Sequence, residues 1–221
     1  MNLNENIIKA INNICIKSKE VKKISLFGSR ARGDNNERSD IDLAVYFLTN
    51  PYYDVIEELE NIETLLKVDI TIVNDSIDDK FITNIRNEEI IIYMSKFDNK
   101  YDNFKKAVAK LSIIVEQMDI DDDIVRDSLI QRFEFCYELA WKTLKEYLQY
   151  NGLTLESMPR PVFKVAYENN IINHENIWLE MIKDRNIASH EYSEERIKLV
   201  AINIRDNYYK EFVDLLKKLG E

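Results

Sequence analysis

The stretch Gly28-Ser29-Arg30-Ala31-Arg32-Gly33, followed closely by Ser39-Asp40-Ile41-Asp42-Leu43-Ala44-Val45, decides how the first half of this chain is read. An apolar run, Ile24 to Phe27, ends at the glycine, and a second apolar run carries two aspartates one residue apart. Side chains alternate faces along an extended strand, so Asp40 and Asp42 are expected on one side. Two adjacent carboxylates repel, and a divalent cation between them relieves the repulsion. Gly28 and Ser29 leave little side chain in the way of an anion such as a triphosphate. The pattern points to a metal-dependent nucleotide site.

Working outward, Asn4 can cap a helix whose buried face is Ile7, Ile8, Ile11, Ile14 and Cys15. Lys22 and Lys23 lead into a strand over Ile24–Phe27, and Ile41–Phe47 forms the next. Pro51 opens a helix through Val55, Leu59, Ile62 and Leu66. The β-branched run Val68–Val73 reads as a third strand, followed by a helix near Asp79–Arg86 and a short strand Ile90–Tyr93. This half is expected to be an α+β domain with a small mixed sheet.

The character changes at the polar stretch Ser95-Lys96-Phe97-Asp98-Asn99-Lys100, which sets the expected domains at 1–96 and 97–221. Beyond it the apolar spacing is helical throughout. Tyr101 to Met118 makes one face, Asp123 to Tyr150 a long helix ended by Gly152, and Pro159 starts a shorter one to about Asn169. Asn176 runs into the Arg185 region, and Ser193 caps a last helix to Leu219. The second half is expected to be an all-α bundle.

Composition narrows the classes. Of 221 residues, 45% are hydrophobic and 32% charged, which describes a globular chain long enough for one large domain or two small ones. A formal net charge of -10 disfavours broad nonspecific nucleic-acid binding, while leaving room for a local basic site. Cys15 and Cys136 sit in helical apolar patterns and read as buried, reduced thiols. No apolar run is long enough for a bilayer, and Met1-Asn2-Leu3-Asn4-Glu5 lacks a signal-peptide pattern, so no membrane partner and a cytoplasmic location are expected.

A third aspartate, Asp69, opens the strand Val68–Val73. Gly28-Ser29, Arg32-Gly33, Ser39-Asp40-Ile41-Asp42-Leu43 and Val68-Asp69-Ile70 together resemble the minimal nucleotidyltransferases of the DNA polymerase β superfamily, over roughly residues 5 to 95. The resemblance implies transfer of AMP from ATP with pyrophosphate leaving. Gly28 and Ser29 would hold the triphosphate, Asp40 and Asp42 one or two Mg²⁺ ions, and Asp69 would serve as third ligand or base. Arg32 would be a phosphate contact. Against this, a lone Asp-x-Asp is usually a solvated strand edge and a lone Gly-Ser a turn. Arg30 reads as a surface arginine, and Asp34 and Asp54 as solvated.

The second informative stretch is Asp184-Arg185-Asn186-Ile187-Ala188-Ser189-His190-Glu191-Tyr192. Arginine offers phosphate a planar fork, and histidine passes protons near neutrality, a pair suited to cleaving RNA through its own 2′-hydroxyl. On a continuous helix five residues advance about 500°, leaving Arg185 and His190 about 140° apart. A bend or a second subunit is then needed to converge them. With Gln131 to Lys142, Pro159-Arg160-Pro161 and Trp178-Leu179-Glu180-Met181, the motif resembles the HEPN superfamily, in particular its nucleotidyltransferase substrate-binding branch. In HEPN toxin–antitoxin pairs the transferase silences a ribonuclease by adding AMP to the motif tyrosine, here Tyr192. The resemblance also implies a homodimer, with the HEPN target in the same chain or a second subunit.

Blander roles stand beside these: His190 as a helix cap and Tyr192 as packing. Glu134 and Glu138, one turn apart, line a cleft or face solvent. His174 reads as a loop residue with no partner, Trp141 and Trp178 as core, and Asp121-Asp122-Asp123 as a solvated helix start. Two further functions compete with AMP transfer to Tyr192: transfer to a small cationic molecule held by the helical half, and nucleotide sensing that controls a ribonuclease.

Overall fold

A computed structural model describes residues 2–48, 50–74, 76–116, 119, 121–190 and 193–220, with backbone only for Ala188, Ser189 and His190. Two compact units emerge, Met1–Asp98 and Asn99–Glu221.

In the first unit, α1 (Glu5–Lys17) starts where the Asn4 side chain accepts the Asn6 N–H at 2.8 Å, and it buries Ile7, Ile11 and Cys15. Strand β1 (Val21–Phe27) begins three residues before the apolar run. The lysines that seemed to precede it belong to it: the Lys23 ammonium pairs with Glu89 at 2.7 Å and lies 4.0 Å from the centre of the Tyr46 ring. A short helix α2 (Gly28–Arg32) follows directly, then β2 (Ile41–Phe47). Helix α3 (Tyr53–Glu60) stops short of Ile62 and Leu66, because the Asn61 amide takes the Glu57 carbonyl at 2.8 Å and turns the chain. Strand β3 (Val68–Val73), helix α4 (Asp79–Glu88, capped by Asp78) and strand β4 (Ile90–Met94) complete the unit.

The sheet order is β3-β2-β1-β4, with β1 antiparallel to β2 and β4, and β2 parallel to β3. Alternation sorts its two faces. Ile24, Leu26, Ile41, Leu43, Val45 and Val68 pack with α1 and α3 into one core. The opposite face carries Asp42, Asp69, Ser25 and Tyr46. A mixed four-stranded α+β unit is what the alternation of the sequence implied.

Helix α5 (Lys96–Glu116) runs through the polar stretch expected to be a boundary. The Ser95 hydroxyl accepts the Asp98 N–H at 3.0 Å and donates to the Asp98 carboxylate at 2.5 Å, a reciprocal cap that starts the helix there. Met118, read as its last apolar position, lies outside the described residues. The second unit continues with α6 (Asp123–Tyr150), α7 (Pro159–Glu168) and α8 (Glu175–His190). Gly152, at φ +85°, closes α6. The last expected helix is two, α9 (Glu194–Asn203) and α10 (Tyr209–Gly220), joined by a π-helical turn at Ile204–Tyr208.

The helical core is aromatic. Phe133 stacks on Tyr208 at 5.3 Å, and Phe163 meets Trp178 at 4.9 Å. Trp178 is fully buried and donates to Glu211 at 3.1 Å, whereas Trp141 is only half-buried. His174 does have a partner: its Nδ1 lies 2.8 Å from the same Glu211 carboxylate, a contact 37 residues away in sequence. Cys15 and Cys136 are free and buried, and burial pushes each thiol up to about 12. No helix among the described residues is long and apolar enough to cross a membrane.

Candidate active site

Gly28 is where β1 turns into α2, at φ +69°, a conformation that disfavours a side chain. A Cβ placed there would lie 2.4 Å from Asp42 Oδ2, so any other residue would also have to displace the Asp42 carboxylate. The close approach exists because Phe27 is the cross-strand partner of Asp42. On the other side of β2, Asp42 is in register with Asp69 of the parallel strand β3. The turn and two carboxylates are therefore brought together by strand pairing.

Asp40 lies just ahead of β2, and its backbone is fixed by Arg30. Arg30 is not a surface residue: it is 6% exposed. Its guanidinium donates to the carbonyls of Ser39 (2.8 and 3.0 Å), Asp40 (3.2 Å), Asn2 (3.0 Å) and Glu37 (3.4 Å). Five donors in a rigid fork suit such a multi-carbonyl clamp. Ser29 is half-exposed as the second residue of α2.

Electrostatics mark Asp42 as the strained member. Partial burial, then the negative charges of Asp69 and Asp40, hold its carboxyl above the ordinary carboxylate range, while Arg32 pulls it down. Asp69 is engaged by Lys67 at 2.5 Å. Among the described residues, no three His, Cys, Asp or Glu side chains already sit in a metal-ligating arrangement. The donor chemistry nevertheless fits Mg²⁺: the groups are hard carboxylate oxygens, and Asp42 bears repulsion from Asp69 and Asp40 that a cation would relieve.

One participant was missed in the sequence. The Gly28 N–H donates to Glu88 Oε1 at 3.0 Å, and Arg32 Nη1 donates to Glu88 Oε2 at 2.6 Å. Arg32 also reaches Asp34 at 3.3 Å, a pair in which Asp34 stays exposed to solvent as expected. A carboxylate thus sits on the two donors expected to meet phosphate. Its only sequence signal is position at the end of an amphipathic helix. Gly28, Arg32, Asp42, Phe81, Asn84 and Glu88 border a cavity of about 460 Å³.

In the helical unit, Arg185 Nη2 lies 3.8 Å from Glu138 Oε1 on α6. Glu138 also takes the Trp141 indole N–H at 3.2 Å and pairs with Lys142 at 3.0 Å. Next to Arg185, the Asp184 carboxylate accepts the Tyr208 hydroxyl at 2.6 Å and the Asn203 amide at 2.9 Å. Tyr208 ends the π-helical turn, so the widened turn delivers the hydroxyl that fixes this part of α8. The backbone of α8 is helical from Glu175 through His190, so Arg185 and His190 stand on one helix. The His190 side chain and Tyr192 lie outside the described residues.

Comparison with known proteins agrees with this division. Residues 9–98 match the family model "Polymerase beta, Nucleotidyltransferase", and residues 99–221 match "Nucleotidyltransferase substrate binding protein like". A Methanocaldococcus jannaschii protein named "Putative protein adenylyltransferase MJ1379" is 44% identical over 77 residues, 33% of this chain and 76% of the relative. A Haemophilus influenzae protein named "Probable ribonuclease HepT" is 31% identical over 111 residues, 47% of this chain and 75% of the relative. A solved protein of Thermus thermophilus superimposes with a TM-score of 0.50 at 30% identity, covering 53% of this chain and 99% of that one. The chain joins a polymerase β-type nucleotidyltransferase domain to a helical domain, and it belongs to the nucleotidyltransferase substrate-binding-protein-like family.

Proposed function

We propose that the chain transfers AMP from ATP to Tyr192 of its own helical domain, in the same chain or a second copy, and thereby silences a ribonuclease. The observation that carries the reading is the close approach of Gly28 to Asp42, with Asp69 beside it in strand register. A triphosphate cradle and a pair of carboxylates share one small space there. The naming of relatives as a protein adenylyltransferase and a ribonuclease supports both halves of the proposal.

In this reading the Tyr192 hydroxyl oxygen attacks the α-phosphorus of ATP. The bond between that phosphorus and the α–β bridging oxygen breaks, and pyrophosphate leaves. The phenolic proton passes to Asp69. The Gly28 N–H, Ser29 and Arg32 hold the β- and γ-phosphates, so Glu88 must release two of these donors as ATP enters. Arg30 keeps Asp40 in place through its backbone. Mg²⁺, held by Asp40, Asp42 and Asp69, would supply charge neutralisation of the triphosphate.

For the helical domain, Arg185 would stabilise the phosphate while His190 takes the proton of the RNA 2′-hydroxyl. The unbroken α8 favours a homodimeric site, in which Arg185 and His190 come from different copies. A second reading, transfer to a small molecule bound by the helical domain, draws support from the substrate-binding description of residues 99–221. Incubation with ATP and Mg²⁺ followed by peptide mapping tests the choice. AMP on Tyr192 supports the first reading; ATP turnover only in the presence of an added small acceptor supports the second.

A further inference from the structure

We infer that the surface between α5 and α6 is a groove for single-stranded RNA. On α5, Lys106 and Lys110 project at one-turn spacing. On α6, Ser128, Gln131, Arg132 and Phe135 form a matching stripe at i, i+3, i+4 and i+7. Between the two stripes lies a cavity of about 550 Å³, and none of its lining residues is acidic. On a chain with 40 acidic and 30 basic residues, three cations lining one cavity that no acidic residue lines are a departure that needs an account.

Two further observations point to a ligand. Arg132 Nε is buried and has no hydrogen-bond partner among the described residues. A desolvated guanidinium donor left in that state is costly, and an anion entering the groove would satisfy it. Phe135, at the groove's edge, is 61% exposed although it sits mid-helix beside the core residues Phe133 and Cys136. Cations that track a phosphate backbone, with an aromatic face beside them, are the recognised means of holding single strands. An apolar peptide would leave the three cations unmatched; duplex RNA would not use the phenyl face.

Glu138, the residue that pairs with Arg185, lies seven residues along α6 from the groove-lining Gln131 and so on the same face of that helix. RNA lying along α6 would therefore lead toward the phosphate-binding arginine. The choice of RNA as the occupant rests on the ribonuclease reading of the helical domain.

The test is fluorescence anisotropy with a 5′-fluorescein-labelled 20-nucleotide RNA of mixed sequence, titrated with the full-length chain. Lys106→Gln/Lys110→Gln should weaken binding at least tenfold and flatten the log–log salt slope by about 1.4, about 0.7 for each lost phosphate contact. Phe135→Leu should weaken it about tenfold while leaving the salt slope unchanged. Pyrophosphate release and melting temperature should stay at wild-type values in both variants, which rules out misfolding. Unchanged affinity and slope in both would overturn the proposal. So would a loss of self-association on ultracentrifugation with RNA affinity intact, which would make the groove a protein interface. Binding that depends on these residues without RNA cleavage would retain the groove and defeat the ribonuclease reading alone.

Discussion

Replacing Gly28 by alanine separates a structural turn from a catalytic one. The substitution imposes two penalties. The first is backbone strain at φ +69°, worth about 1–2 kcal/mol for a residue with a Cβ. The second is a collision, because the new Cβ would sit 2.4 Å from Asp42 Oδ2 and 3.1 Å from its Cγ. The Asp42 carboxylate must swing away, and a displacement of about 1 Å at a reacting centre costs about a hundredfold in rate. Gly33 provides the control: its φ is +90°, yet nothing lies within 4 Å of the Cβ position. Both variants should lose about 1–2 kcal/mol, a fall of roughly 4–15 °C in the melting temperature of a domain this size. Only Gly28→Ala should also lose about a hundredfold or more in pyrophosphate release from ATP with Mg²⁺. Equal activity in the two variants would refute the claim that Gly28 is glycine on account of Asp42.

Arg30→Lys keeps the charge but cannot reach five carbonyl contacts, and should destabilise the chain by about 2–4 kcal/mol in urea unfolding; a shift below about 0.5 kcal/mol would return Arg30 to the surface role first read for it. Cys15 and Cys136, buried and held at about 12, should resist a disulfide reagent at pH 8 in native buffer and react fully in denaturant. The same burial has a pH signature. Between the ordinary thiol value of 9.0 and about 12 the folded state keeps protons that the unfolded state has released. Stability present below pH 9 should therefore decline as pH rises above it, and Tyr137 and Tyr208, also raised by burial, add to the decline. A urea midpoint that stays flat from about pH 8 to about pH 11 would contradict this.

Much of the sheet could be read from local pattern. Strands β2 and β3 have the bounds that their apolar and β-branched runs imply, Ile41–Phe47 and Val68–Val73. The pairing of Asp42 with Asp69 then follows from parallel register. What escaped depends on partners distant in sequence. Lys23 reads as a strand breaker until Glu89, 66 residues away, neutralises it. Arg30 reads as solvated because its acceptors are backbone carbonyls, which leave no mark on composition. His174 and Glu211, like Gly28 and Glu88, meet only through tertiary structure. The helix start at Ser95 was legible, since Ser-x-x-Asp is a reciprocal cap, but the polarity of the stretch favoured a linker. The π-helical turn at Ile204–Tyr208 interrupts an apolar periodicity that gives no local sign of it.

Intact-mass measurement of the full-length chain after incubation with ATP and Mg²⁺, followed by mapping of the modified peptide, tests the central claim most directly. The expected result is addition of AMP at Tyr192, abolished in Asp42→Ala and in Tyr192→Phe. An adduct that persists in Asp42→Ala, that falls on another residue, or that never forms in a preparation releasing pyrophosphate would contradict it.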